Sequence, residues 1–150
     1  WIYRGILSAV RDPRARQFGL HHLATERTNM ALMRGLVPLH QRSVLSPAWA
    51  AAGYVTGLCA VFAGANVVFI TIDAVEAFVD EHYRRQIEAL EHGPHSEKLC
   101  PLLERCRTDE IAHRDEARRY AITSSNRFTI CSADAIARGS AVAADVARVI

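Results

Sequence analysis

The chain reads as an all-α protein, a bundle of long helices, on three observations. Apolar residues recur at intervals of three and four, which is the helical period, and strict alternation of the strand kind is missing. Gly and Pro, 8 and 5 among 150 residues, punctuate the chain only sparsely. From Trp49 to Ile72 no residue is charged, a stretch long enough for a bilayer-spanning helix, for which about 20 apolar residues suffice.

Length suits a single helical domain over residues 1–150, in which roughly two thirds of the unfolded surface can be buried. Half the residues are apolar and 23% are charged, which excludes disorder and lies at the greasy end of soluble proteins. Net charge is only +2, and the basic residues are dispersed without interleaved aromatics, so no nucleic-acid partner is expected. Cys59, Cys100, Cys106 and Cys131 form no CxxC pair, which predicts free thiols in a reducing compartment.

The elements follow in order. Residues 1–11 read as the end of a first helix that is already under way at Trp1, so the helix is expected to be truncated at its N-terminus. "RDPR" closes it, and Pro13 opens a second helix running to about Arg34, with Phe18, His22, Glu26, Asn29 and Met33 at helical spacing. After a loop with two prolines, Ser46 is a natural N-cap and Pro47 a first-turn residue. Gly64 and Asn66 in "FAGANV" predict a break, giving helices over 47–63 and 66–91. "EHGPHS" ends the fourth helix, Pro101 falls in the first turn of a fifth that runs to about Ala121, and Ser132 caps a final helix to Ile150.

The chemistry lies in "TDEIAHRDEA". Glu110 and His113 are three apart, a rotation of about 300°, so both project from one side of a helix and one metal ion can touch both. Taken alone, such a pair is a common solvated surface feature. It gains weight from Glu26 with Asn29 three places later, and from Glu76 just after the uncharged stretch. Four-helix bundles that hold two metals supply one Glu from each of two helices and a Glu-x-x-His from each of the other two. Here Asn29 stands where the second imidazole belongs, and the visible first helix carries no acid.

The pattern resembles the demethoxyubiquinone hydroxylases of ubiquinone biosynthesis, which are ferritin-like di-iron carboxylate proteins. "IYRG" is similar to the end of that family's first-helix motif, "SVLSPAWAAAGYVTG" to its Pro-x-Trp start of the hydrophobic helices, "AVEAFVDEHYRRQI" to its fourth-helix signature and "DEIAHRD" to its last Glu-x-x-His. The resemblance implies iron as cofactor, with Glu26 and Glu110 bridging, Glu76 a terminal ligand and His113 the remaining imidazole; two irons if the site is complete, one or none if it is degenerate. It also implies catalytic places near the metals for His82 and Tyr83, and a first-helix Glu about five residues upstream of Trp1. His82 lies six places after Glu76, off that residue's face, so a partly exposed helix histidine is an equal reading.

An amide oxygen is a poorer donor to Fe(II) than imidazole, so an iron relying on Asn29 would bind weakly. His22, one turn before Glu26, approaches from the wrong end of the turn to replace it. For the stretch from Trp49 to Ile72 three readings stand: a spanning helix, a buried bundle helix, and a monotopic surface that sits in one leaflet and admits an isoprenoid tail. Partners implied by the resemblance are a quinone with an isoprenoid tail, membrane lipid, and other proteins of a ubiquinone-synthesis or respiratory assembly. The implied location is the mitochondrial inner membrane, peripherally, or the cytoplasmic side of a bacterial inner membrane. Three functions compete: an O2-dependent ring hydroxylase, an inactive homologue serving as a structural or lipid-contacting subunit, and a ferritin-like metal carrier. The third fits worst, since an iron store has no use for so large an apolar face.

Overall fold

A computed structural model describes residues 1–121 except 39 and 41. It is all-α, as the periodicity predicts: α1 Ile2–Ala9, α2 Pro13–Leu36, α3 Ser46–Ala63, α4 Ala65–Leu90 and α5 Ser96–Tyr120, with no strand among the described residues. Cys131 and the helix expected over 132–150 lie outside the described residues.

Local chemistry sets the boundaries. Val10 is extended after α1, and Asp12 caps α2 by accepting from the Ala15 amide at 2.9 Å, with Pro13 at the first helical position. The first helix thus stops two residues short of the expected Arg11, because capping α2 needs Asp12 in extended backbone. Ser46 is not the cap of α3 but its first helical residue; its hydroxyl donates to the Ser43 carbonyl at 2.8 Å instead. The break between α3 and α4 falls at Gly64, whose φ of +116° only glycine adopts without strain.

The fifth helix starts at Ser96, five residues before Pro101, which corrects the first-turn position expected for that proline. Glu97 in the first turn faces the positive end of the helix dipole. Pro101 forfeits one hydrogen bond, to the Glu97 carbonyl, close enough to the start for the helix to continue.

Packing joins α4 to α5 along their length and α1 to α3 at close range. Glycines permit the second contact: a Cβ on Gly5 would fall on the Tyr54 carbonyl oxygen, and one on Gly57 on the Ile2 carbonyl oxygen. Tyr3, Ile6, Ala15, Phe18, Ala60, Val68, Phe69, Ile72 and Ala117 form the core. Phe18 meets Phe69 edge to face at 5.4 Å between centroids. By contrast α3 is mostly exposed, with Val55, Tyr54 and Phe62 facing outward. By length and composition it passes for a membrane-crossing helix, at about 27 Å for 18 residues.

Candidate metal centre

The core is interrupted by charge at one level. Glu76 from α4, and Glu110 and His113 from α5, are buried at 3%, 4% and 2% exposure, and Glu26 from α2 leans in beside them. One ligand atom from each of the four lies within 4.8 Å of the others. His113 Nδ1 is 3.4 Å from Glu110 Oε2, 3.7 Å from Glu26 Oε1 and 3.9 Å from Glu76 Oε1.

These separations are too long for good hydrogen bonds. They suit donors that share one ion about 2.0–2.2 Å away. Two further observations point the same way. His113 Nδ1 and Glu110 Oε2 are buried without a hydrogen-bond partner, a rare state for polar atoms in a folded interior. The carboxylates also repel: burial first, then the charge of Glu110, pushes Glu26 up to about 7 and raises Glu76 well above the usual carboxylate range. A cation among them reverses that cost, so the residues present fit a metal, and a carboxylate-rich set with one imidazole suits a first-row transition ion.

The geometry follows from an antiparallel α2–α5 pair. Three contacts climb the seam one turn at a time: His22 with Glu116, Glu26 with His113, and Asn29 with Asp109. Asn29, buried where the bundle pattern asks for a His, turns its amide to Asp109 and donates to that carboxylate at 3.1 Å. His22 does not join the four; its Nε2 pairs with Glu116 Oε2 at 2.9 Å while its ring packs 4.1 Å from that of His113. Burial, then the neighbouring His113 and His21, hold His22 down to about 3, so it is neutral at physiological pH.

His82 and Tyr83 lie about two turns after Glu76 on α4. The Tyr83 hydroxyl shares a hydrogen bond with the buried Cys106 thiol; burial, then Cys106, Glu110 and Glu26, raise its pKa well above the phenol range. Tyr83 thus lies within electrostatic reach of the centre. His82 is half-buried, stacked on Phe78 at 6.1 Å and hydrogen-bonded to Gln86 at 3.0 Å.

Residues 1–147 match the family model described as "Ubiquinone biosynthesis protein COQ7". The chain belongs to the COQ7 family. It is 30% identical over 118 residues to the 3-demethoxyubiquinol 3-hydroxylase of Rhodospirillum rubrum, covering 76% of this chain and 54% of that protein. It is 33% identical over 124 residues to the protein of the same name from Bordetella petrii, covering 79% and 52%. The Bordetella avium protein gives 33% over 125 residues, 79% and 55%. The chain spans about half the length of these curated relatives.

In this COQ7-family chain sequence reading passed over Tyr3, which donates to Glu76 Oε1 at 2.9 Å and sets its ring edge-on to His113 at 6.1 Å. Its only sequence signal is position, at the inward end of "IYRG". Glu116 and Asp109 were also passed over, though each lies three or four positions from a member of the Glu110–His113 pair.

Proposed function

We propose that this chain carries the metal centre of a COQ7-type ring hydroxylase, with iron as the metal and a demethoxyubiquinol with an isoprenoid tail as substrate. The observation that carries this reading is the buried convergence of Glu26, Glu76, Glu110 and His113, with two donor atoms lacking any other partner. The names of the three relatives supply the reaction class. Iron, when bound, supplies the activation of O2 that organic side chains cannot. In that reaction class one oxygen atom of O2 would be inserted into a ring C–H bond and the other would leave as water, with two protons and two electrons drawn ultimately from NADH.

The chain's own residues hold and shield. Glu26, Glu76, Glu110 and His113 would hold the iron, with Glu26 and Glu110 reaching it from facing helices. Tyr3 donates to Glu76 Oε1, the carboxylate oxygen 3.9 Å from His113 Nδ1, and so would orient Glu76 as a ligand. Phe18, packed against Tyr3, His22 and Phe69, adds to the dry interior beside the centre. Tyr83, a phenol held protonated by burial and by its neighbours, would serve as a hydrogen-bond donor near the centre.

Between α2 and α3 a cavity of about 850 Å³, lined by Trp1, Met30, Met33, Val37, Trp49 and Ala50, has the apolar lining and size for an isoprenoid tail. Exposed apolar α3 supports a protein that lies on the inner face of a bacterial or mitochondrial membrane.

One observation favours a second reading, an inactive homologue that kept the bundle as a structural subunit. Asn29 is bound to Asp109, leaving the second ion without its nitrogen donor. Iron analysis of the purified chain with a quinol hydroxylation assay under O2 separates the two. Bound iron and O2-dependent product support the enzyme; metal-free protein held tightly by other subunits rules it out. Asn29→His is expected to raise iron per chain from about one toward two. Unchanged occupancy in that variant would mean that no second ion forms at this level of the seam.

A further inference from the structure

One helical turn beyond the four-residue centre, the same two helices build a second convergence of donors. The seam repeats itself: four residues before Glu26 on α2 and three after His113 on α5, His22 meets Glu116 through Nε2 and Oε2 at 2.9 Å. His21 brings its ring to 4.8 Å from that of His22, and one ligand atom from each of the three residues lies within 4.8 Å of the others. His22 is 2% exposed, so its ring is held by packing with Nε2 on Glu116. A cavity of about 350 Å³ opens here, running from exposed His21 past His22, Asp109 and Glu116 to His113.

We propose that His21, His22 and Glu116 form an outer site for a divalent transition ion such as zinc, cobalt or iron(II), at the solvent end of the α2–α5 seam. Two imidazoles and a carboxylate select such ions over Ca²⁺ and Mg²⁺, whose ligands are oxygens. The 2.9 Å contact between Nε2 and Oε2 is a hydrogen bond in the ion-free chain, and an ion about 2.0–2.1 Å from each atom would replace it with little movement of either side chain. Since His21 is exposed, water completes the coordination, which makes the site open and exchangeable. Asp109 and Asp115 on the cavity wall outnumber Arg119, so the mouth attracts cations. His113 of the inner centre lines the same cavity. The inference concerns ion binding by these three side chains and stands apart from the hydroxylase reading.

The test uses the full chain stripped of metal and titrated by calorimetry with Zn²⁺ alone, then with Co²⁺ alone by visible absorption. The wild-type chain should show two separable binding events. His21→Ala and Glu116→Gln should each weaken one event by at least about tenfold and spare the other, while Glu110→Gln should do the reverse. The site does not exist if His21→Ala and Glu116→Gln bind with wild-type stoichiometry and affinity, or if Glu110→Gln alone abolishes all binding. His21 is exposed, so its substitution decides the question even where Glu116→Gln, with a buried partner, fails to fold.

Discussion

At the scale of single residues, the arrangement around Glu76 shows how a metal ligand is held in a dry interior. Glu76 is buried in a core of Val68, Phe69 and Ile72, where an unpaired carboxylate is costly, and Tyr3 donates a hydrogen bond to it. Tyr3→Phe keeps the ring and its contacts with Phe18 and His113 but removes that donor. Metal affinity should fall about 10- to 100-fold, with helicity unchanged, as measured by competition against a chelator and by circular dichroism. A variant that binds metal as tightly as the parent would show that Glu76 is oriented by packing alone. Asp80 illustrates the opposite environment, a carboxylate that stays ionised. Burial tends to raise its pKa, yet hydrogen bonds from Arg107 at 2.7 Å and Arg114 at 2.6 Å outweigh that and hold it below the ordinary 3.8. A depressed folded pKa means stability that is present above the unfolded value and lost as pH falls through the folded one. Asp80→Asn should therefore cost about 1–3 kcal/mol at neutral pH, and its melting curve should converge with the parent's in acid, below pH 3.8.

At the scale of helices, two seams organise the molecule, and they were not equally legible. The Glu110–His113 face of α5 could be read from the chain because the two are local neighbours and the helical period fixes their common face. That Glu26 and Glu76 meet them was legible only through the bundle pattern, since nothing in one helix's periodicity says which helix it faces. Tyr3 and the His22–Glu116 pair went unread for the same reason: their partners are 73 and 94 residues away. Pro101 misled because a first-turn position is the usual one, whereas the bundle supports a helix that begins earlier. The α1–α3 crossing was invisible as well, for a glycine within a helical pattern looks the same whether it weakens the helix or admits a neighbour. Gly57→Ala tests that crossing. Its methyl would meet the Ile2 carbonyl oxygen, which is backbone and cannot swing aside. Overpacking of this kind costs about 1–3 kcal/mol, seen as a fall in Tm of roughly 3–10 °C. An unchanged Tm would mean that α1 and α3 separate freely.

At the scale of the whole molecule, the distribution of apolar surface is lopsided, and the asymmetry carries the membrane reading. The buried side of the bundle gathers around Phe18, Val68 and Ile72, while α3 turns Val55 and Phe62 outward at 54% and 78% exposure, with Val44 at 77% just before it. A soluble helix of that composition would bury its apolar face, and α3 leaves most of its own uncovered among the described residues. The break at Gly64 bears on how such a face is used: it divides the uncharged stretch so that α3 alone, about 27 Å long, is available to lipid while α4 turns inward to deliver Glu76. An α3 lying in one leaflet keeps the α2–α3 cavity beside the acyl chains, where an isoprenoid tail resides. The replacement of Val55 and Phe62 together by Asp removes apolar side chains that would contribute about 1.5–3 kcal/mol each on burial in lipid and adds two charges to the outward face. Co-sedimentation with vesicles of phosphatidylethanolamine and phosphatidylglycerol should drop by tenfold or more, while metal binding at Glu26, Glu76, Glu110 and His113 persists, because both positions are outward-facing on a helix that contributes no ligand. Retention of vesicle binding in the double variant would assign the face to a protein neighbour and move the quinone's route away from α3.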